Sequence, residues 1–218
     1  SRGSYRLSDL SVIADAVTTP YQAVVRSGLS PGDLAIVVGV GGVGGYAVQI
    51  AAAWGAHVVA LDVDAARLAT LAGHGAELAL NTAETDFKRV KQQIAEFAAT
   101  HGCGTHRWRI FECSGNARGQ ETAFGLIGHA STLIVIGFTL EKVALRLSNL
   151  MVFDATVQGS WGCRPEFYPD ALALVTRGAV TLSPFIDRYP MSRAPEVLQL
   201  VADHKLTKRA ILEPDWQS

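Results

Sequence analysis

The residues best placed to do chemistry are a set of glycines at fixed spacing and a carboxylate beyond them. Gly39-Val-Gly41-Gly42-Val-Gly44 satisfies the G-x-G-x-x-G pattern directly after the apolar run Leu34–Val38 and at the opening of a helical stretch. In that context Gly39 permits a tight turn off a strand, Gly41 lets the backbone approach a pyrophosphate, and Gly44 allows close contact between helix and sheet. The first-turn N–H groups of the helix, with its dipole behind them, offer donors to phosphate. Asp62 lies 18 residues beyond Gly44 at the end of the next strand, where a carboxylate can accept both ribose hydroxyls of an adenosine. Its charge repels a 2′-phosphate, so the expected cofactor is NAD rather than NADP. No G-x-x-x-x-G-K-[ST] run occurs, which disfavours a P-loop nucleotide triphosphatase.

Positioning these groups requires alternating strands and helices. Leu34–Val38 is apolar throughout, as in a parallel-sheet strand covered on both faces. Helices are expected over 41–54, 65–73, 84–99 and 117–127, and strands over 57–61, 77–80, 107–111 and 131–136, with Val157–Gly159 as a sixth. The expected fold is α/β, a Rossmann doubly wound parallel sheet. An earlier helical segment, 11–28, offers Val12, Ala16, Tyr21 and Val24 or Val25 for one face and must place Pro20 at a bend or in a first turn. After Gly162, prolines punctuate shorter pieces: helices over 168–177 and 194–203, extended segments near Ile186 and Tyr189, and a strand at Arg209–Leu212. Fewer than 60 residues remain there, too few for an independent core, so they are expected to complete a second domain.

Composition excludes several partners. With 49% hydrophobic and 18% charged residues, the chain is an ordinary globular one, not a disordered tail. A formal net charge of -1 with scattered basic residues leaves no footprint for nucleic acid or anionic membrane. The apolar stretches Leu34–Val43 and Ala130–Phe138 are far shorter than the roughly 20 residues that span a bilayer. Cys103, Cys113 and Cys163 are too few and too dispersed for a disulfide framework or zinc knuckle, so a cytoplasmic setting is expected, with each thiol a small buried or half-buried residue. The chain does not begin with Met and is expected to be processed, truncated or part of a longer protein.

With the glycine turn, Asp62 and the later segment Val157-Gln-Gly-Ser-Trp-Gly162 in view, the chain resembles the medium-chain dehydrogenase/reductase family, specifically its zinc-type alcohol dehydrogenases. The likeness runs from Ala14–Tyr21 to Lys205–Arg209. Within it, Asp9–Ala23 is similar to the enzymes that oxidise 6-hydroxycyclohex-1-ene-1-carbonyl-CoA in anaerobic aromatic degradation. The resemblance implies three portions: 1–16 as the end of a GroES-like catalytic domain and a linking helix, 17–161 as the NAD-binding domain, and 162–218 as a C-terminal remnant of the catalytic domain. It also implies a catalytic zinc whose Cys and His ligands lie outside this chain and whose third ligand falls on Asp15. Thr19 falls near the nicotinamide, Val43 behind its ring, and Arg67 at the adenosine ribose. Ile136, Gly137 and Phe138, and the neighbourhood of Gly159, Ser160 and Trp161, fall where backbone groups bond the carboxamide. Arg209 falls at the pyrophosphate. Homodimers or homotetramers are implied, through the edge of the sheet, with Ser131–Ile136 and Val143–Phe153 as the available surface.

The resemblance implies oxidation of a small alcohol or acyl-CoA substrate: zinc favours the alkoxide and hydride passes to NAD. A polyol or amino-alcohol dehydrogenase is the alternative, and a zinc-free quinone or enoyl reductase fits less well. A non-catalytic NAD-binding module is the alternative of another class. Blander readings stand beside each residue: Asp15 as a capping carboxylate, Arg209 as a solvated charge, Trp161 as interface packing and Cys113 as a core thiol. His101-Gly-Cys103 with His106 has no standard ligand spacing and is not expected to bind metal. His57 is expected to open a strand, and His74, His129 and His204 to cap or decorate the surface.

Overall fold

The computed structural model describes residues 5–203 and 205–215. The reading of His204 and the N-terminal Ser1–Ser4 fall outside the described residues. A 3-10 helix, Asp9–Ala14, leads into α1 (Thr18–Ser27), with Pro20 in its first turn, where a missing N–H costs nothing. Val24 is buried and Val25 is not, which settles the helical face.

The sheet strands are β1 (Leu34–Val38), β2 (His57–Asp62), β3 (Leu78–Asn81), β4 (Arg109–Glu112), β5 (Thr132–Val135) and β6 (Thr156–Gly159). Between them run α2 (Gly44–Ala53), α3 (Ala65–Thr70), α4 (Phe87–Thr100), α5 (Ala117–Gly125) and α6 (Ser148–Phe153). All six strands are parallel, in the order β3-β2-β1-β4-β5-β6. That is the doubly wound Rossmann order, and its reversal lies between β1 and β4, where ligands bind at strand C-termini. β5 is therefore an interior strand. The edge surface expected at Ser131–Ile136 belongs instead to β6, beside exposed Leu147, Met151, Val152 and Val157.

β1 is buried at every position because its two faces enter different cores. Ala35 and Val37 meet α1 and α2, while Leu34, Ile36 and Val38 meet Val90 and Ile94 of α4 and Ala123 and Phe124 of α5. Asp64, Asp86 and Asn116 cap α3, α4 and α5 by accepting first-turn N–H groups.

The last part of the chain contributes α7 (Tyr168–Thr176), β7 (Ile186–Pro190), α8 (Ala194–Ala202) and β8 (Arg209–Glu213). β7 and β8 pair in parallel as a separate two-stranded sheet. Ala171, Leu174, Val180, Leu182, Phe185 and Ile211 share the core of α1 and α2. Phe185 packs on Tyr46 with ring centroids 5.6 Å apart, which seats the small sheet against α2. Arg188 pairs with Asp9 and Glu213, and Ser8 donates to Glu213 at 2.6 Å. No helix among the described residues is long and apolar enough to cross a membrane.

Candidate cofactor groove

A cavity of about 910 Å³ opens at the C-terminal ends of β1, β2 and β4, with α8 and β8 as its far wall. Gly39, Gly41, Gly42, Val43, Asp62, Arg67 and Arg209 all line it. The turn that forms its floor is dictated by steric contact. Gly39 has φ +83°, and a side chain there would overlap the backbone of Ser114. A Cβ on Gly44 would overlap the carbonyl oxygen of Gly39. Because residues 39–43 make this turn, α2 begins at Gly44, three residues later than the sequence pattern predicts. Gly45 N–H donates to Gly41 C=O and Ala47 N–H to Val43 C=O, each at 3.0 Å, so the backbone that meets the groove is that of Gly39, Gly41, Gly42 and Val43, ahead of α2.

Asp62 is buried at the tip of β2 and holds the turn in place. Its Oδ2 accepts from Val40 N–H at 2.7 Å and its Oδ1 from Asp64 N–H at 2.9 Å. Each oxygen keeps a second lone pair for a ligand. Arg67 stands beside it, with Nη1 4.0 Å from Oδ1. Arg67 also donates through Nη2 to Leu206 C=O at 3.2 Å, and its Nε lies 3.6 Å from Asp64 Oδ2. The nearest atoms above Gly41 belong to the Arg67 guanidinium, and those above Gly42 to Arg209. Two cationic forks therefore overhang the glycine turn. A buried carboxylate and two arginines over the backbone of the glycine turn fit a ribose joined to a pyrophosphate.

Arg209 reaches further. Its Nη2 lies 2.7 Å from Asp15 Oδ2, while Asp15 Oδ1 accepts from Thr19 Oγ1 at 2.9 Å. The structure thus joins three residues expected in separate roles. Asp15 is exposed, and among the described residues it belongs to no group of three or more potential metal ligands. The described residues fit a catalytic zinc at Asp15 only as the source of one ligand.

The expected carboxamide-binding residues stand at the ends of β5 and β6, outside the lining of the groove. The N–H groups of Ile136 and Gly137 donate to Glu112 C=O at 2.9 and 3.0 Å, so they are already used. Phe138 and Trp161 project outward, Trp161 being 86% exposed. Ser160 is buried and donates from its N–H to Val135 C=O at 2.9 Å, continuing from Gly159.

Two polar residues that the sequence patterns did not single out organise this edge. Gln22, on the buried face of α1, donates to Ser160 Oγ, Trp161 C=O and Gly162 C=O, and accepts from Arg164 N–H at 2.9 Å. Its signal was a polar residue between Tyr21, Ala23 and Val24. Glu112 is fully buried at the tip of β4; its Oε1 accepts from Ser114 N–H and Oγ at 2.7 and 2.5 Å. Its Oε2 has no partner among the described residues. Burial, and then the charge of Glu112, push the adjacent Cys113 thiol well above its ordinary range. All three cysteines are free and half-buried, and Cys113 lines the groove.

Comparison with known proteins agrees with this geometry. The chain is 30% identical to an alcohol dehydrogenase of Schizosaccharomyces pombe over 198 residues, covering 89% of this chain and 54% of that protein. It is 25% identical to an alcohol dehydrogenase of Geobacillus stearothermophilus, covering 94% of this chain and 57% of the relative. The chain spans little more than half the length of these relatives. An alcohol dehydrogenase structure from Thermotoga maritima superposes with a TM-score of 0.86 at 25% identity, over 97% of this chain and 58% of that one. Residues 42–177, from the glycine turn through α7, match the model described as zinc-binding dehydrogenase. That match takes in most of the groove's floor and the whole sheet beyond β1, and the chain belongs to the zinc-binding dehydrogenase family.

Proposed function

We propose that this chain is the cofactor-binding portion of an NAD-dependent, zinc-type alcohol dehydrogenase that oxidises a secondary alcohol to a ketone. The observation that carries this reading is the single groove in which Asp62, the Gly39–Gly44 turn, Arg67 and Arg209 converge. When bound, NAD would supply the hydride acceptor and zinc the Lewis acid that favours the alkoxide.

The residues of this chain bind and orient. Asp62 and Arg67 take the adenosine ribose, while the turn and Arg209 take the pyrophosphate. Val43, the residue before α2, and Thr19, in the first turn of α1, face the nicotinamide half, with Phe138 and the Gly159–Trp161 segment fixing its carboxamide. Asp15 supplies one carboxylate to zinc, and the remaining ligands come from the rest of the protein. In this assignment residues 17–161 are the NAD-binding domain, and 1–16 and 162–218 belong to the catalytic domain.

Titration calorimetry with NAD and NADP tests the cofactor assignment. NAD is expected to bind at least about tenfold tighter, a difference of about 1.4 kcal/mol, and Asp62→Ala is expected to erase the preference. Tighter binding of NADP would overturn it.

The similarity at Asp9–Ala23 favours a cyclic hydroxyacyl-CoA, 6-hydroxycyclohex-1-ene-1-carbonyl-CoA, as substrate. A polyol or amino alcohol is the second reading, the polyol supported by similarity to the D-arabitol-phosphate dehydrogenase of Enterococcus avium, at 28% identity over 88% of this chain and 53% of that protein. Turnover of each class by the protein carrying its upstream residues separates them. A homodimer or homotetramer through the β6 edge, and a cytoplasmic location, complete the proposal; the three free thiols accord with a reducing compartment.

A further inference from the structure

At the end of the sheet away from the groove, three residues from three elements meet. His57 is the first residue of β2, Glu77 immediately precedes β3, and His101 follows the last residue of α4. His57 Nδ1 lies 3.2 and 3.1 Å from the two Glu77 carboxylate oxygens. His101 Nε2 lies 3.5 Å from Glu77 Oε2. One ligand atom from each of the three residues falls within 4.8 Å of the others.

The bonding of His101 makes this arrangement informative. Its Nδ1 is 2.8 Å from Phe97 C=O, and only a protonated Nδ1 can make that bond. In a neutral ring Nε2 then carries a lone pair, and that lone pair faces a carboxylate oxygen. Two acceptors cannot satisfy each other, and a cation between them would serve both. An imidazole with its second nitrogen anchored on a backbone carbonyl is the usual arrangement of a metal-bound histidine.

The spacing suits a metal. With bonds of about 2.0–2.1 Å, ligand atoms around a tetrahedral zinc lie about 3.3 Å apart. The contacts of 3.1 and 3.5 Å bracket that value, and the ligand atoms of His57 and His101 lie within 4.8 Å of each other. The C-terminal dipole of the 14-residue α4 adds negative potential at the same place. All three side chains are about one-third exposed, which leaves an entry path and room for water as a fourth ligand. Cys103 Sγ is turned to the carbonyls of Gly32 and His101, and is not part of the set.

We propose that His57, Glu77 and His101 form a cation site for a divalent ion of the zinc class, separate from the groove and from Asp15. Two imidazoles and one carboxylate favour zinc, and cobalt as its spectroscopic substitute, over magnesium or calcium. The bound ion links the starts of β2 and β3 to the end of α4. It is a cross-link within the fold and takes no part in hydride transfer.

The test uses the metal-free 218-residue chain with zinc, in competition with a chromogenic chelator, and with cobalt. Wild type is expected to take up one ion per chain at this site and to gain thermal stability from it. His101→Gln should weaken zinc binding by more than about 100-fold, beyond the 10–100-fold cost of disturbing a residue that only supports a ligand. Glu77→Gln keeps a hydrogen-bonding partner for His57 but removes the anionic ligand, and should lose the ion likewise. If His101→Gln does not fold without metal, Glu77→Gln decides. Cobalt should give a tetrahedral visible spectrum without a thiolate charge-transfer band. The proposal is overturned if wild type takes up no zinc, if these substitutions leave uptake unchanged, if Asp15→Asn is what abolishes it, or if cobalt reports a thiolate ligand.

Discussion

At the C-terminal ends of β1, β2 and β4 the chain gathers open backbone N–H groups, two guanidiniums and a buried carboxylate; at the N-terminal ends of β2 and β3 it gathers two imidazoles and a half-exposed carboxylate. The first set consists of donors for an anion, with Asp62 bonded into the backbone that it positions. The second consists of acceptors for a cation. A parallel sheet separates the two because every strand points the same way, so residues at opposite ends of one strand cannot share a ligand. His57 and Asp62 are the two ends of β2 itself. The contrast teaches that charge sign alone does not identify a site; both ends hold a carboxylate, and the atoms around it decide what it serves.

The sharpest way to break this contrast is at the turn. Gly44→Ala should cost about 3 kcal/mol of stability by overpacking the helix against Gly39, measured by urea unfolding, and should abolish dinucleotide binding. Preserved NAD affinity in a folded variant would remove the steric basis of the groove. Next in size, Arg209→Gln should lower NAD affinity by about 10–100-fold, as expected for a charged hydrogen bond worth about 1.5–3 kcal/mol. Zinc uptake at the far end should be unmoved, and coupled losses would mean that the two ends are not independent.

The smallest effect sharpens the comparison from the middle of the layer between the main sheet and the C-terminal segment. Tyr46 is buried, and its hydroxyl has no hydrogen-bond partner among the described residues. Tyr46→Phe should therefore stabilise the fold by about 1 kcal/mol in thermal or urea unfolding. Burial also pushes the Tyr46 hydroxyl far above its ordinary range. Above about pH 10 the unfolded chain releases a proton that the folded chain retains, so wild-type stability falls as pH rises. The variant should lack that component of the alkaline loss while its NAD affinity stays unchanged.

Local signals made one end of the molecule readable. The glycine turn and Asp62 are sequence-near features, and β1 announces itself by burial on both faces, so the strands were legible to within a few residues. Pairing order was less so: a run such as Thr132–Val135 looks alike whether it is interior or at an edge, and only the sheet shows that β6 takes the edge. The short helix α6 lies inside a stretch read only as apolar surface. The histidine cluster was invisible for a different reason. In sequence His101 groups with His106 and Cys103, whereas its partners in space come from β2 and the residue before β3. The same holds for Asp15 and Arg209, whose meeting depends on a strand 194 residues away.

That last distance also has a consequence for how the molecule is made. The floor of the groove belongs to an early part of the chain, but the far wall comes from α8 and β8. During synthesis the sheet of β1 to β6 can assemble while Arg209 is still inside the ribosome. Closing the 194-residue span between Asp15 and Arg209 is the kind of nonlocal step that slows folding. The glycine turn is thus built early and stands open until β8 arrives, so competence to hold a dinucleotide is acquired late, after most of the apolar core is in place.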